Sequence, residues 1–275
     1  MGDTPSANGV MAGKRGLIMG LANNRSIAWG IAKSLHDAGA ELAFTYQGDA
    51  LKKRVEPLCN ELGGLLAGHC DVTDADSIDT VFNNVQDAWG KLDFVVHAIA
   101  FSDKNELDGR FIDTTAPNFE RTMNISVYSL VAVAQRAEKL MADGGSLLTL
   151  TYYGAEKVMP HYNVMGVAKA GLEAAVRYLA EDLGKTGIRV NAISAGPIKT
   201  LAASGIGDFR YILKWNEYNA PMRRATTIEE VGDTAMFLTS DLSRGITGEV
   251  IHVDSGYHAV GMKAVDAPDI SVDKS

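Results

Sequence analysis

The sequence has few cysteines, no excess of basic residues and no long apolar run, and each shortage excludes a class of protein. Its two cysteines, Cys59 and Cys70, lack the spacing of a redox or metal-binding pair, which favours a reducing, cytoplasmic setting over secretion. The net charge is −8, whereas a general nucleic-acid-binding protein needs a basic surface. No apolar stretch approaches the roughly 20 residues that cross a bilayer, so no membrane association is expected. No cluster of histidine, cysteine and carboxylate residues has the spacing of metal ligands, and no metal site is predicted.

The composition that remains is that of a globular protein with a substantial core. Hydrophobic residues make up 46% of the 275 positions and charged residues 22%, which is enough apolar material for a continuous core without disulfides. Residues 1–13 are small and polar, and we expect a disordered leader there. We expect residues 14–262 to form a single domain and residues 263–275 to form a C-terminal tail.

Short apolar runs alternate with longer stretches of helical period from Arg15 onward. Near-continuous apolar strands separated by helices indicate a parallel sheet that is buried on both faces. We therefore predict an α/β fold, a Rossmann-like, doubly wound parallel sheet of seven strands with helices on both faces. The predicted strands are 16–19, 41–46, 65–70, 94–99, 146–151, 189–193 and 250–253, and the predicted helices are 26–38, 49–62, 75–89, 117–141, 162–184 and 228–240.

The connection after the first predicted strand has features of a phosphate site. Ligands of such sheets bind beyond the carboxyl ends of the strands, near the point where strand order switches. Gly20 permits a tight turn, Ser26 is placed to cap the helix that begins near Ile27, and Gly30 is expected to let that helix approach the sheet. An ordinary strand-to-helix turn explains these residues equally well, because the common G-x-G-x-x-G motif is missing.

The ends of the next three strands carry candidate cofactor contacts. Gln47 stands where an acid often holds the adenosine ribose, and no basic residue lies immediately beside it, which favours NADH over NADPH. Asp71 and Val72 are placed to bracket an adenine, and Asp71, Thr73 or Asp74 is expected to cap the following helix. Small residues around Ile99 would allow a ligand to approach the backbone, and His97 is interpreted as a buried structural histidine.

The segment 149–169 carries three side chains that end in a polar group, those of Tyr152, Tyr162 and Lys169. Tyr162 and Lys169 are about two helical turns apart, so both side chains are expected on one face of a helix. A phenol and an ammonium there can bind a cofactor ribose and a substrate carbonyl, and the ammonium would favour the phenolate. A solvated helix face is the alternative, but the position beyond a strand end favours a site.

Five segments, in order, resemble the NADH-dependent bacterial enoyl-[acyl-carrier-protein] reductases, a divergent branch of the short-chain dehydrogenase/reductase family. They are 26–33, 41–47, 162–169, 189–205 and 248–254. Carbonyl-reducing relatives carry Tyr-x-x-x-Lys, whereas the residue four before Lys169 is Met165, which has no acidic proton. The longer Tyr-x6-Lys spacing resembles the arrangement of the enoyl reductases.

The resemblance implies a reaction and a set of site residues. The expected reaction is reduction of the trans-2 C=C bond of enoyl-[acyl-carrier-protein] thioesters by NADH, forming NAD+, in type II fatty acid synthesis. Tyr162 would donate to the enolate oxygen, Lys169 would hold the nicotinamide ribose, and Tyr152 would belong to the site in a less defined role. Together with the strand-end residues, the expected cofactor contacts are Gly20, Ser26, Ile27, Gln47, Asp71, Val72, Ile99, Lys169, Ile198, Lys199, Thr200, Leu201 and Ala202, and the expected substrate contacts are Ser102, Tyr152, Tyr162 and Phe209.

A long apolar excursion at about 198–220 is interpreted as a lid, formed by a helix pair over an acyl chain, with an extra surface helix as the alternative. Four nearby basic residues suggest a docking patch for an acidic acyl carrier protein. They are Arg210, Lys214, Arg223 and Arg224.

His252 and Asp254 are assigned to packing or subunit contacts. The resemblance further implies a homotetramer with helix 162–184 at an interface. A carbonyl reductase or dehydratase, and a non-catalytic NAD-sensing regulator, are the competing functions.

Overall fold

Seven parallel strands form one sheet in the computed structural model, which describes residues 9–201, 203 and 207–270. The strands are β1 Arg15–Met19, β2 Glu41–Tyr46, β3 Leu65–His69, β4 Phe94–His97, β5 Gly145–Thr151, β6 Ile188–Ala195 and β7 Val250–Val253. The strand order is β3-β2-β1-β4-β5-β6-β7, so the order switches between β1 and β4, and the prediction of a doubly wound parallel sheet is confirmed.

Two apolar layers cover the two faces of this sheet. The α3 layer joins the sheet to α3 (Ala75–Trp89), α6 (Ser129–Leu140) and α7 (Asn163–Gly184), and the α1 layer joins it to α1 (Ile27–Asp37), α2 (Gly48–Glu61) and α9 (Ile228–Thr239). Buried strand residues such as Leu17 and Ile18 alternate between the two layers, which explains why the strands read as continuous apolar runs. The helices are α1 Ile27–Asp37, α2 Gly48–Glu61, α3 Ala75–Trp89, α4 Lys104–Leu107, α5 Ala116–Met123, α6 Ser129–Leu140, α7 Asn163–Gly184, α8 Phe209–Asn219 and α9 Ile228–Thr239.

The helix predicted over 117–141 is interrupted. A π-helical segment, Asn124–Tyr128, lies between α5 and α6. Segments of this kind occur mostly as single turns within α-helices, often beside functional sites. Here the segment carries Ser126, which contacts the connection after β4.

Gly30 has a different role from the predicted one. A Cβ atom at Gly30 would lie 2.2 Å from the carbonyl oxygen of Ile228, and one at Gly232 would lie 2.4 Å from the carbonyl oxygen of Gly30. The two glycines therefore allow α1 and α9 to cross at close range. The expectation that Gly30 brings its helix close to the sheet was wrong, because the near neighbour is another helix.

The folded unit starts earlier than predicted. Gly9 and Met11 both donate backbone hydrogen bonds to the carbonyl oxygen of Ala38, at 3.1 and 2.9 Å. The Met11 side chain is fully buried in the layer that contains α1, so residues 9–13 belong to the fold and not to a disordered leader. Residues 1–8 lie outside the described part of the chain.

The predicted C-terminal tail also contacts the domain over its described residues, 263–270. The backbone N–H of Ala264 donates to the side-chain oxygen of Asn219 in α8 at 2.9 Å.

Among the described residues, none of the helices combines the length and apolarity that a membrane span requires. The same residues hold no group of three or more histidine, cysteine and acidic side chains able to bind a metal ion.

Candidate active site

Tyr162 and Lys169 are both buried at the carboxyl end of β5, with side chains 7% and 6% exposed. Tyr162 immediately precedes α7 as its N-cap residue, and its carbonyl oxygen accepts from the N–H of Met165 at 2.9 Å. The predicted helix start at Tyr162 is therefore one residue early. Lys169 lies within α7, so the structure brings the two predicted groups to the same end of the sheet.

The backbone around Tyr162 is held in an unusual conformation. His161 and Asn163 have φ angles of 55° and 38°, in the left-handed region that side chains disfavour. The Asn163 amide donates to the carbonyl oxygen of Leu107 at 3.0 Å and to that of Gly109 at 3.3 Å. These bonds hold Asn163 in place and thereby fix the position of the neighbouring Tyr162.

His161 connects three loops around the site. Its Nε2 atom lies 3.1 Å from the carboxylate of Asp208, just before α8. Its Nδ1 atom lies 3.1 Å from Asp108, just after α4, at ion-pair distance but without hydrogen-bond alignment. The connection between β5 and α7 is thus tied both to the loop after β4 and to the start of α8.

Tyr152 and Tyr162 pack edge to face. Their ring centroids are 5.0 Å apart with an interplanar angle of 75°, a favourable aromatic geometry. Gly154 makes room for this pair, because a Cβ atom there would lie 2.4 Å from Cδ1 of Tyr162. The requirement for glycine at position 154 was not predicted from the sequence.

The ammonium of Lys169 has a backbone partner and an acidic neighbour. Its Nζ atom donates to the carbonyl oxygen of Leu150 at 2.8 Å. Glu173, one turn further along α7, is buried and accepts from the hydroxyl of Thr151 at 2.7 Å. Burial lowers the pKa of Lys169 to about 8, while the charge of Glu173 acts in the opposite direction. Sequence reasoning missed Glu173, although the i,i+4 spacing from Lys169 was a usable signal.

Burial raises the pKa of Tyr162, and the neighbouring Tyr152 and Glu173 reinforce the shift. The expectation that a nearby ammonium favours the phenolate was wrong, because desolvation of the charged form dominates. Tyr162 is therefore held as a neutral phenol that can donate a proton or a hydrogen bond. Burial likewise raises the pKa of Tyr152.

His97, at the end of β4, is a buried structural residue, as predicted. Its Nδ1 atom lies 3.1 Å from the hydroxyl of Thr149 and its Nε2 atom lies 2.8 Å from that of Ser129. Burial lowers the pKa of His97 to about 3, and the positive charge of Lys169 adds to the shift. The imidazole is accordingly neutral beneath the site.

The first strand-to-helix connection contains a close approach between strands. Gly20 has a φ of 93°, and a Cβ atom there would lie 2.0 Å from the carbonyl oxygen of Ala98. Ser26 occupies the N-cap position of α1, but its side chain makes no capping bond. Its hydroxyl instead accepts from the N–H groups of Ala22 and Asn23, at 3.2 and 3.0 Å, so the capping prediction was wrong. Ser26 thus holds the turn that precedes α1, and α1 begins at Ile27.

Gln47 and Asp71 meet beyond the ends of β2 and β3. Hydrogen bonds from the side chain and backbone of Thr73, at 2.7 and 2.9 Å, lower the pKa of Asp71, and a side-chain hydrogen bond with Gln47 contributes. The cap of α3 is Asp74, one of the three candidates for that role, and not Asp71 or Thr73. Val72 is buried in the neighbouring apolar layer.

The connection after β4 is fixed by hydroxyl groups. The backbone N–H of Phe101 donates to the hydroxyl of Ser126 at 3.0 Å, and that hydroxyl donates to the carbonyl oxygen of Phe101 at 3.1 Å. Ser102 accepts from Thr122 at 2.9 Å and from the Asn118 amide at 3.2 Å, and it lies 3.4 Å from the Asn118 oxygen. The hydroxyl of Ser102 therefore holds this connection in place. β4 itself ends at His97, and Ile99 lies half-buried against the α3 layer.

The segment after β6 approaches the same edge of the sheet. Ile198 packs against the α1 layer, Lys199 is exposed, and the hydroxyl of Thr200 accepts from the N–H of Ala203 at 3.1 Å. Leu201 is about half exposed. Ala202, another predicted cofactor contact, lies outside the described residues, as do residues 204–206.

α8 borders a cavity of about 180 Å³. Over the described residues of the predicted lid there is one α-helix and not a pair. Phe209 is the first residue of α8 and does not line this cavity. The lining residues are Val158, Met159, Pro160, Tyr211, Ile212, Trp215, Asn216 and Tyr257.

Two of the four basic residues of the predicted docking patch have acidic partners. Arg223 pairs with Asp266 at 2.8 Å, and Arg224 pairs with Glu230. Arg210 and Lys214 are exposed on α8 and form no ion pair with any described residue. The patch is thus reduced to these two side chains.

His252 and Asp254 both make packing contacts within the chain, one of the two roles expected for them. His252 lies 2.8 Å from Glu156 and stacks on His258 at a centroid distance of 4.0 Å. Asp254 is buried and accepts from the backbone N–H groups of Gly256 and His258.

Comparisons with known proteins agree with this geometry. Residues 20–258 match the family model described as enoyl-(acyl carrier protein) reductase. A curated relative from Rhizobium meliloti (strain 1021), enoyl-[acyl-carrier-protein] reductase [NADH] 1, is 76% identical over 97% of this chain and 98% of its own length. A second, from Rickettsia felis, is 55% identical over 92% of this chain and 97% of its own.

Solved structures give the same result. The enoyl-(acyl-carrier-protein) reductase of Anaplasma phagocytophilum, in complex with NAD, has a TM-score of 0.91 and 59% identity over 96% of this chain and 98% of that one. The Bacillus cereus enzyme, with NADP+ and an indole naphthyridinone, has a TM-score of 0.90 and 55% identity over 92% of this chain and 99% of that one. The fold and the buried Tyr162–Lys169 pair define a reductase-type dinucleotide-binding protein. The chain belongs to the enoyl-(acyl carrier protein) reductase family.

Proposed function

We infer that this chain is an NADH-dependent enoyl-[acyl-carrier-protein] reductase of fatty acid synthesis, which reduces the trans-2 double bond of the carrier-bound acyl thioester. Its membership of the family and its relatives' activity support this function. The observation that carries it is the neutral, buried phenol of Tyr162, placed with Lys169 at the carboxyl end of the sheet beside the switch in strand order.

Tyr162 is proposed to stabilise the charge that develops in the reaction. When bound, NADH would supply the hydride that the β-carbon of the substrate accepts; negative charge would then build on the thioester carbonyl oxygen, and a proton added from solvent at the α-carbon would complete the reduction. A phenol that remains protonated can donate a hydrogen bond to that oxygen in a site from which water is excluded. The burial that raises the pKa of Tyr162 also keeps its proton available for this bond.

Lys169 and Tyr152 support Tyr162 in different ways. Lys169 would hold the ribose hydroxyls next to the nicotinamide, and its link to Leu150 aims the ammonium along the end of β5. Tyr152 packs against the edge of Tyr162 and is proposed to form a wall of the substrate site. Met165 occupies the position of the tyrosine in the Tyr-x-x-x-Lys motif of carbonyl reductases, is buried and has no acidic proton, which disfavours a carbonyl reductase.

The groove along the strand ends fits a dinucleotide. The turn at Gly20, which a Cβ atom would block, opens onto the N-terminus of α1, whose N–H groups suit a pyrophosphate. The Gln47–Asp71 pair is proposed to bind the adenosine end, where the carboxylate would repel a 2′-phosphate and so favour NADH. The further proposed cofactor contacts are Ser26, Ile27, Val72, Ile99, Ile198, Lys199, Thr200, Leu201 and Ala202. Ser102 and Phe209 remain proposed substrate contacts on the strength of the resemblance alone.

A homotetramer is proposed on the basis of exposed apolar side chains along α7 and beside it. Tyr178 is 77% exposed and Val167 is 39% exposed on α7, and Tyr128 of the π segment is 54% exposed. Such side chains on neighbouring helices support burial against another subunit.

The two buried free thiols, Cys59 and Cys70, are consistent with the proposed reducing, cytoplasmic location. A single domain with the segment 198–220 as its lid remains the proposed organisation.

NADH consumption tests the reaction directly. We expect the NADH absorbance to fall when a crotonyl or longer enoyl thioester is added to the purified protein, and to remain constant with a 3-ketoacyl thioester of equal length. Consumption of NADH with the 3-ketoacyl compound alone would replace this function with carbonyl reduction. NADH binding without turnover of either compound would favour a non-catalytic regulator.

A further inference from the structure

His161 stands directly before Tyr162 and lies between two carboxylates. Its Nε2 atom is 3.1 Å from the carboxylate of Asp208, which precedes α8, and the two groups are aligned for a hydrogen bond. Its Nδ1 atom is 3.1 Å from the carboxylate of Asp108, which follows α4, without that alignment. The Nδ1 atom is buried and has no hydrogen-bond partner among the described residues. Each ring nitrogen therefore has a carboxylate as its charged neighbour.

A neutral imidazole cannot satisfy both of these neighbours. It carries one N–H donor and one lone-pair acceptor, whereas an ionised carboxylate can only accept. With the proton on Nε2, the bond to Asp208 is kept, and the lone pair of Nδ1 faces an oxygen of Asp108, which is repulsive. The imidazolium carries a proton on both nitrogens and attracts both carboxylates. The arrangement therefore matches the charged ring.

The charged side chains two residues away from these carboxylates do not compete for the ring. Glu106 accepts from the hydroxyl and the backbone N–H of Thr115, at 2.8 and 2.9 Å. Arg110 lies 4.0 Å from Asp113. Arg210 is exposed and forms no ion pair with any described residue, so it leaves the carboxylate before α8 to the ring.

The backbone is strained at both ends of the contact with α8. His161 and Asp208 have φ angles of 55° and 51°, in the left-handed region. Gly207 lies against the ring, since a Cβ atom there would be 3.0 Å from Cγ of His161. Strain of this kind persists only where the surroundings impose it, and it clusters at functional sites.

Both segments that His161 contacts lead into the candidate active site. Leu107 in the loop after α4 is buried in the apolar cluster that contains Tyr162 and Met165. On the other side, the carbonyl oxygen of Asp208 accepts from the N–H of Tyr211 at 2.8 Å and so begins the first turn of α8. A change at the ring can therefore alter the packing around the catalytic phenol.

We propose that His161 is a positioning residue of the active site, whose charged ring ties the loop after α4 and the start of α8 to the backbone of Tyr162. Loss of the proton releases the loop after α4, because the neutral ring keeps only its aligned bond to Asp208. Histidines change charge between about pH 5 and pH 8, so the site is held most tightly at the acidic end of that range. This inference rests on the proposed function.

Amide hydrogen exchange of the whole protein tests these contacts without turnover. Rates corrected for intrinsic exchange are compared over 107–113 and 207–213 at about pH 5.5 and about pH 7.5. In the wild type, we expect the protection of 107–113 to be about two- to fivefold lower at the higher pH, as for an exposed ion pair, and that of 207–213 to change less. His161→Asn should lower the protection of both segments at both pH values. Asparagine tolerates the left-handed backbone, so this variant removes the ring without new strain.

Asp108→Asn is the sharper variant because it keeps the ring. An amide can donate to the neutral Nδ1 atom, so the loop should stay protected at both pH values. With an uncharged crotonyl thioester and saturating NADH, kcat/KM should fall about two- to fivefold between the same pH values in the wild type, and this decline should be missing in Asp108→Asn. The pKa of Lys169 is about 8, and this group is the same in both proteins, so the difference between the profiles isolates His161.

His36→Gln is the matched control. This variant also removes one histidine, but the His36 ring has a single carboxylate neighbour, Asp37 at 3.3 Å, in the last turn of α1. It should retain the wild-type pH profile and the wild-type protection of both segments.

The exchange data and the kinetics can fail separately. If the wild type does not reduce crotonyl thioester, the proposed function fails, and the exchange data still decide whether His161 holds the loop. Equal protection of 107–113 at the two pH values in the wild type would overturn the inference. A decline of kcat/KM in Asp108→Asn as steep as in the wild type would overturn it as well. Should His161→Asn fail to fold, Asp108→Asn decides alone.

Discussion

The ammonium of Lys169 donates to the carbonyl oxygen of Leu150 at 2.8 Å and so joins α7 to the end of β5. A buried cation held by a neutral carbonyl is only partly compensated, which is why its pKa lies near 8 and not near 10.5. The same bond fixes the distance between the helix that carries Lys169 and the strand end that leads to Tyr152.

Replacement of Tyr162 by Phe should reduce turnover on the order of 100-fold, the effect of removing one donor to a developing oxyanion. The dissociation constant for NADH should change little, because the lost hydroxyl serves the substrate. Steady-state kinetics with crotonyl thioester, together with quenching of protein fluorescence by NADH, would measure both. Tyr152→Phe is the matched control, with the other ring of the same edge-to-face pair. An equal loss in both variants would contradict the distinct role of Tyr162.

The activity should depend on the protonation of Lys169. Because burial lowers its pKa to about 8, the ammonium loses its proton as the pH rises through that value. The proposed contact of Lys169 with the ribose hydroxyls would then lose its charge, so kcat/KM for NADH should decline above about pH 8 in the free enzyme. Lys169→Arg should remove this decline, since a guanidinium stays charged throughout. An unchanged alkaline limb in that variant would assign the titration to another group.

His97 should make the protein sensitive to acid. Its pKa is about 3 in the folded state against 6.5 for an ordinary histidine, so between these values the unfolded chain binds one more proton. From this group the free energy of unfolding should fall by about 1.4 kcal/mol per pH unit as the pH drops below about 6.5. Urea denaturation at several pH values would measure the slope, which should be shallower in His97→Gln. Equal slopes in the two proteins would rule out this group as the source.

The crossing of α1 and α9 should be intolerant of a methyl group. Gly232→Ala would place a Cβ atom 2.4 Å from the carbonyl oxygen of Gly30, so the helices must separate. We expect a loss of about 1–3 kcal/mol in the free energy of unfolding, as for other overpacked sites. Gly184→Ala is the control, because a Cβ atom there meets nothing within 4 Å at the end of α7. Thermal melts that fall equally for both variants would show that the crossing is not the cause.

Charge reversal at Arg210 and Lys214 should raise KM for the carrier-bound substrate several-fold and weaken its dependence on salt, since exposed charges of this kind guide association. KM for an uncharged short thioester should stay the same. Lys185→Glu, beyond α7 at the amino edge of the sheet, is the control. If the double variant shows the wild-type KM with the acyl carrier protein substrate, these side chains do not form a docking patch.

Local sequence patterns were sufficient for the sheet and for the placement of Tyr162 and Lys169. Each strand is a short apolar run bounded by polar residues or glycine, so the seven strands were predicted to within a few residues. The spacing of Tyr162 and Lys169 placed both groups at a strand end. These features depend on residues that are close in sequence.

Features that depend on distant contacts were missed. The hydroxyl of Ser26 binds the preceding turn instead of capping α1, and Gly30 contacts Ile228. Both features arise from packing between elements. The break at Asn124–Tyr128 is invisible in the apolar periodicity, because a π-helical turn preserves a helical run of residues. The unpartnered oxygen of Asn216 could not be predicted, since only the folded arrangement shows which amides lack partners.

The wall of the cavity is shared between two connections of the fold, since Val158, Met159 and Pro160 lie in the connection from β5 to α7 and the other residues follow β6. Tyr162 and Lys169 follow β5, whereas Asn216 lies on α8, in the excursion between β6 and β7. The two connections are joined, because His161 of the first lies 3.1 Å from Asp208 at the start of α8. A redesign of α8 must therefore preserve this link, or it will move the backbone that carries Tyr162.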